Sequence, residues 1–341
     1  MKSVNRVFNY TTIAFLLSFL FIIIGCGDSG GGKHGNPSHV LDNWHLRSTL
    51  PIGTLYGVTY GNGTFMAVGD DIVTSPDGIT WTSRNPGITG NPGITGTLYG
   101  VTCGNDIFVA VGGRVNSSHG EIPPDTIILT SPDGIEWTSR TSGLNYILRG
   151  VTYGNSIFVA VGHNGTILTS TDGVTWTSRN SGRTDDLFGV TYGNGIFVAV
   201  GNGGAITTSN DGATWTSRDS GSTDAYLNGV TCNKDTFVIV GHRVDVTGIF
   251  GTILTSPDGT TWASGKSGFT NSYLNEVAYG NGFFVAVGWD STTLATILTS
   301  PDGAVWTTRL SGPINELFGV TYGNGSFVAV GNDILQSDPV K

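Results

Sequence analysis

The chain has 341 residues, with 53 glycines but only 12 prolines, and is 38% hydrophobic, 10% aromatic and 12% charged. That apolar and aromatic content excludes a disordered chain, and the scarcity of proline excludes a collagen-like one. A formal charge of -9 with no Lys/Arg cluster excludes nucleic acid as a partner, because a polyanion would be repelled.

Residues 1–25 open with Lys2 and Arg6, run mostly apolar over 13–24 and reach Ile23, Ile24, Gly25 and Cys26. A short positive region followed by an apolar stretch too short to span a bilayer is a targeting segment rather than a fold element. Ile23 to Cys26 resemble a bacterial lipobox. That resemblance implies cleavage before Cys26 and acylation of its sulfur, and Gly27 in place of an aspartate implies the outer membrane. Residues 26–39, rich in Gly and Ser, read as a flexible tether to a domain spanning 40–341.

From Leu55 onward the chain repeats itself, with units starting at Leu55, Leu98, Leu148, Leu187, Leu227, Leu274 and Leu317. Trp44, Trp81, Trp137, Trp176, Trp215, Trp262 and Trp306 recur at intervals of about forty residues, the period of a β-propeller blade. Each unit predicts four strands. Leu-x-Gly-Val-Thr-Tyr ends in Gly-Asn-Gly, a tight hairpin signal. Phe-Val-Ala-Val does not alternate and is expected to be buried on both faces. Ile-Leu-Thr-Ser closes on Pro-Asp-Gly, with Thr171 and Asn210 replacing the proline twice. A fourth strand over 79–84 and its equivalents is expected to alternate, Trp inward and Thr toward water.

The last unit stops at Ser337 without a Trp strand, whereas Trp44 to Arg47 carry the Trp-x-x-Arg pattern ahead of the first. The expected fold is therefore all-β, a seven-bladed propeller of four-stranded antiparallel blades whose last blade is closed by an N-terminal strand, leaving no edge unpaired. Cys103 and Cys232 occupy a slot that holds Tyr in the other units and are expected to be buried free thiols on separate blades.

Ser75, Pro76, Asp77, Gly78, Ile79, Thr80 and Trp81 resemble the Asp-box of bacterial neuraminidase (BNR) repeats, with one residue fewer between Asp and Gly. The resemblance extends to the broad class of WD40/YVTN/BNR-like exported propellers, which includes photosystem assembly factors. An Asp-box is a structural hairpin, so it implies no sialidase chemistry. Arg47, Arg84, Arg140, Arg179, Arg218 and Arg309 hold one repeat position and are expected to be structural, while Arg114, Arg149, Arg183 and Arg243 break the pattern. The sequence contains no acid pair, metal-ligand spacing or cofactor motif, so neither a metal nor a cofactor is expected.

Function is expected where the repeats disagree. Insertions over 113–125, 242–251 and 289–294, and a doubled motif over 85–96, emerge on one face by up-and-down topology. The residue after Val-Gly forms a ring of Asp70, Gly113, His163, Asn202, His242, Trp289 and Asn332. The candidate binding face comprises Asp70, His163, His242, Trp289 and Asp290 together with the insertion residues Arg114, His119, Glu121, Asp125, Arg243 and Asp245. The expected role is that of a monomeric, non-catalytic envelope scaffold taking a protein or glycan; the alternatives are a sialidase-like hydrolase and an assembly factor.

Overall fold

The computed structural model describes residues 41–47, 52–84, 96–114, 125–265, 272–290, 295–309 and 314–340. The targeting segment, Cys26, the tether and most of the doubled motif lie outside them, as do His119 and Glu121.

Seven four-stranded antiparallel sheets succeed one another along the chain, and the first strand joins the last sheet. Blade 1 runs Leu55–Gly61, Thr64–Gly69, Ile72–Ser75, Thr82–Arg84 from the axis outward, and blades 2 to 6 follow the same plan. Blade 7 supplies Leu317–Gly323, Ser326–Gly331 and Ile334–Ser337, and its outer strand is Trp44–Leu46. That strand pairs antiparallel with register Trp44↔Ser337, His45↔Gln336 and Leu46↔Leu335.

The local chemistry follows from the turns. Asn62 and Gly63 take positive φ (49° and 74°), the paired left-handed conformation that a two-residue hairpin requires. At the next hairpin Ser75 Oγ accepts from Gly78 N–H (2.8 Å), while Asp77 Oδ1 accepts from Ile79 N–H (2.8 Å) and Thr80 N–H (2.9 Å). The same device recurs at Asp133, Asp172, Asp211, Asp258 and Asp302. Backbone donors stabilise these carboxylates and hold them below the usual range, Asp211 down to about 2. The hairpin therefore extends through residue 80, so the fourth strand starts only at Thr82, and Ile79 is exposed rather than an inward member of an alternating strand. Trp81 still turns inward and donates Nε1–H to Gly78 O (3.0 Å).

Stability is wedged between blades. Each second-strand Phe, from Phe65 to Phe327, is fully buried, and seven apolar clusters each bridge two neighbouring blades. Tyr60, Phe65 and Trp81 form a tilted column with centroids 4.6 and 6.4 Å apart, an arrangement repeated in blades 3 and 4. The repeat arginines are structural: Arg84 Nε donates to Thr74 Oγ1 (2.8 Å), and its equivalents do likewise. At the closure Arg47 Nε instead donates to Gln336 Oε1 (3.1 Å), and Gln336 Nε2 donates to Asp77 O (2.9 Å), tying blade 7 to blade 1.

Cys103 and Cys232 are half-buried free thiols. Each packs over a glycine of the preceding blade, Gly61 and Gly193, as Tyr153 does over Gly104, which explains why Cys and Tyr share the slot.

Candidate functional site

All seven inner strands carry the same irregularity. In blade 1 Leu55 pairs with Gly69 and Gly57 with Val68, so Tyr56 is an extra residue, a β-bulge. The shift recurs at Tyr99, Arg149, Phe188, Asn228, Asn275 and Phe318. A bulge re-aims its side chain, and here the seven bulged residues together bound one opening of about 290 Å³ at the axis. A narrower channel of about 90 Å³, lined by the inner strands, continues beneath it. Each bulge adjoins the end of the second strand, so the opening lies on the face where the insertions were expected to emerge.

The ring is stacked along one arc. Phe318 and Tyr56 lie 5.1 Å apart, Tyr56 and Tyr99 5.3 Å, and the Arg149 guanidinium sits 4.1 Å from the Tyr99 centroid. Arg149 Nε donates to His163 Nε2 (3.1 Å), and burial, helped by this cation, lowers the His163 pKa. A second arc rises over blades 5 and 6. Tyr226 stacks on His242 (4.9 Å, 2°), His242 leans on Tyr273 (4.7 Å), and Tyr273 stacks on Trp289 (4.1 Å, 12°). Burial lowers the His242 pKa as well, so both histidines are neutral at pH 7. Asn228 and Asn275 brace neighbouring blades, donating to Leu274 O and Leu317 O (both 2.8 Å).

The ring expected after Val-Gly therefore surrounds the opening instead of lining it. His163, His242 and Trp289 join the arcs from behind. Asp70 is a tie, accepting from Thr54 N–H (3.2 Å) and from Thr97 Oγ1–H of the next blade (3.2 Å). The 242–251 insertion is no loop: its strands pair through Arg243↔Phe250 to Asp245↔Gly248, with Arg243 over the Phe250 ring and Asp245 capping Thr247 at the tip. Arg114 and Asp125 likewise pair across extended strands without lining the opening, and Asp290 pairs with Ser272. Sequence reasoning placed none of the seven bulged residues on the binding face, and Arg149 stood out only as an arginine that breaks the repeat. It also missed Glu276, which replaces the glycine that follows the bulge in the other six blades. The variable x of Leu-x-Gly was the available signal.

No protein-family model matches the chain, and no curated protein matches it by sequence. Among solved structures, virginiamycin B lyase from Staphylococcus aureus with quinupristin aligns with a TM-score of 0.70 at 14% identity, covering 86% of this chain and 98% of that one. YCF48 bound to D1 peptide gives 0.63 at 16%, covering 89% and 96%. The WD40 β-propeller domain of Doa1 gives 0.63 at 14%, covering 87% and 97%. At such identities these likenesses show the fold alone, and the chain is a seven-bladed β-propeller.

Proposed function

We propose that this chain is a non-catalytic binding propeller at the cell envelope, anchored through Cys26, which receives an extended peptide across its axial opening. The observation that carries the reading is the bulge ring, whose seven side chains converge on one concave site. The site offers π-faces at Tyr56, Tyr99 and Phe318, one guanidinium at Arg149, and a stacked wall ending at Trp289. Aromatic and Arg side chains in a partly desolvated concavity are the usual anchors of recognition. An opening of about 290 Å³ suits inserted side chains rather than a folded domain. A neighbour of the same fold holds a peptide, which supports this choice over a glycan.

A peptide array probed with residues 40–341 tests it, with Tyr99→Ala and Arg149→Ala as variants. Both are expected to weaken the bound peptides by about tenfold or more without a change in melting temperature. Binding that survives both variants, or binding only to a glycan array, would overturn the peptide reading. The anchor is tested separately: the full chain should fractionate with membranes, and Cys26→Ala should release it to the soluble fraction, whereas identical fractionation would remove the anchor.

A further inference from the structure

Six of the seven positions that follow the bulge are glycine, for a steric reason. A Cβ at Gly57, Gly100, Gly150, Gly189 or Gly319 would stand 2.6–2.9 Å from a carbonyl oxygen of the next blade. Glu276 alone carries a side chain there. It folds back toward blade 5, so that a Cβ at Gly229 would stand 2.5 Å from its Oε1, and Oε1 accepts from Val277 N–H (2.9 Å). The carboxyl borders both the opening and the channel beneath it. Among the described residues no cation pairs with it. The other titratable groups lining this space are Tyr56, Tyr99, Tyr226 and Arg149, and Arg149 lies on blade 3 against Tyr99 and His163.

An acid at the floor of a narrow well, beneath a rim of aromatic faces, is complementary to one kind of group. Aromatic faces attract a cation, the carboxylate neutralises it, and the channel is too small for anything broader than an alkyl stem. Resting on the peptide reading above and sharpening it, we propose that the channel receives a primary ammonium on a slender stem, the side chain of a lysine in the bound peptide, inserted through the rim to face Glu276. Burial pushes the Glu276 carboxyl up to about 8, so at neutral pH the empty site is largely protonated. Binding then converts a carboxylic acid and an ammonium into an ion pair and releases one proton to solvent. Affinity rises with pH as that proton becomes easier to lose, and falls again where the amine itself deprotonates, at about pH 10.

The probe is Nα-acetyl-lysine N-methylamide, with Nα-acetyl-norleucine N-methylamide as its uncharged control and tetramethylammonium as a broad cation. Calorimetric titration is run on the wild type, Glu276→Gln and Glu276→Gly; the last restores the residue that the other six blades already fold with. The lysine probe is expected to bind the wild type about tenfold or more tighter than either variant and than the norleucine probe binds. Its affinity is expected to gain about fiftyfold between pH 6 and pH 8 in the wild type only. Release of close to one proton, from buffers of different ionisation enthalpy, would complete the case. Equal affinity for the two acetyl probes, indifference to Glu276→Gln, or a flat pH profile would overturn it. Tetramethylammonium binding as tightly as the lysine probe would place the cation at the rim and overturn it too. Peptides that still depend on Tyr99 and Arg149 while the lysine probe fails would sink this inference and leave the peptide reading standing.

Discussion

Deleting residues 40–48 is expected to lower the melting temperature by about 8 °C or more. Within it Trp44–Leu46 form the outer strand of blade 7, and Leu41, 1% exposed, packs into the cluster that joins Val285 and Val287 of blade 6 to Leu317, Phe327 and Leu335 of blade 7. Trp44 packs against the same cluster. Asn43 and His45 both bond Asp338 (2.9 and 2.7 Å), Arg309 reaches back to Asp42, and Arg47 N–H donates to Ile334 O (2.8 Å). Removing one buried Trp or Leu from a core costs about 2–5 kcal/mol, and in a chain of this size each kcal/mol moves the midpoint by about 2 °C. The deletion also bares Ile334–Ser337 as an unpaired strand edge, so aggregation on heating should rise with the loss of stability. Thermal unfolding of both forms measures this. An unchanged midpoint would mean that the ring closes without its latch. The point variant Trp44→Ala separates lost packing from lost pairing, since it keeps the backbone ladder and should fall between the two.

The same latch shows what the sequence made legible. A Trp strand missing at one end and present at the other can be seen without coordinates, because each strand type carries its own local pattern. Turns were legible for the same reason: Asn-Gly and Asp-Gly demand particular backbone conformations wherever they occur. The outer strand was overestimated because the Asp77 carboxylate captures the amides of Ile79 and Thr80, a side-chain bond that alternation of apolar and polar residues does not report. The site was displaced for a related cause. Strand periodicity assigns each residue to one face or the other, and a bulge inserts a residue that obeys neither. Tyr56 and its equivalents therefore look in the sequence like any variable strand position, whereas Asp70 and His163, one layer behind, stand where a strand visibly ends. The 242–251 insertion lengthens one repeat, yet Arg243 to Asp245 and Gly248 to Phe250 continue the ladder.

Glu276→Gln is expected to stabilise the propeller at alkaline pH and leave it unchanged at pH 4. In the unfolded chain this carboxyl ionises at about 4.3, whereas in the folded channel burial keeps it protonated up to about 8. Between those values the unfolded state binds fewer protons than the folded one, so stability falls as pH rises through the window and levels off above it. Glutamine has the same shape and no charge to bury, so the variant should keep its melting temperature where the wild type declines, with a gap of about 10 °C at pH 8.5. The acid limb serves as an internal control. Asp77, Asp133, Asp172, Asp211, Asp258 and Asp302 are all held below the usual aspartate range by backbone donors, so their contribution is present above about pH 4 and lost as pH falls through their folded values. Both proteins should therefore lose stability together below about pH 4. Parallel curves over the whole range would show that the channel carboxyl is solvated, and divergence confined to pH above 5 would show that it is not. A glycine at this position would avoid the cost, as it does in six blades, so position 276 is where the inner strands depart from the repeat at the expense of stability above about pH 5.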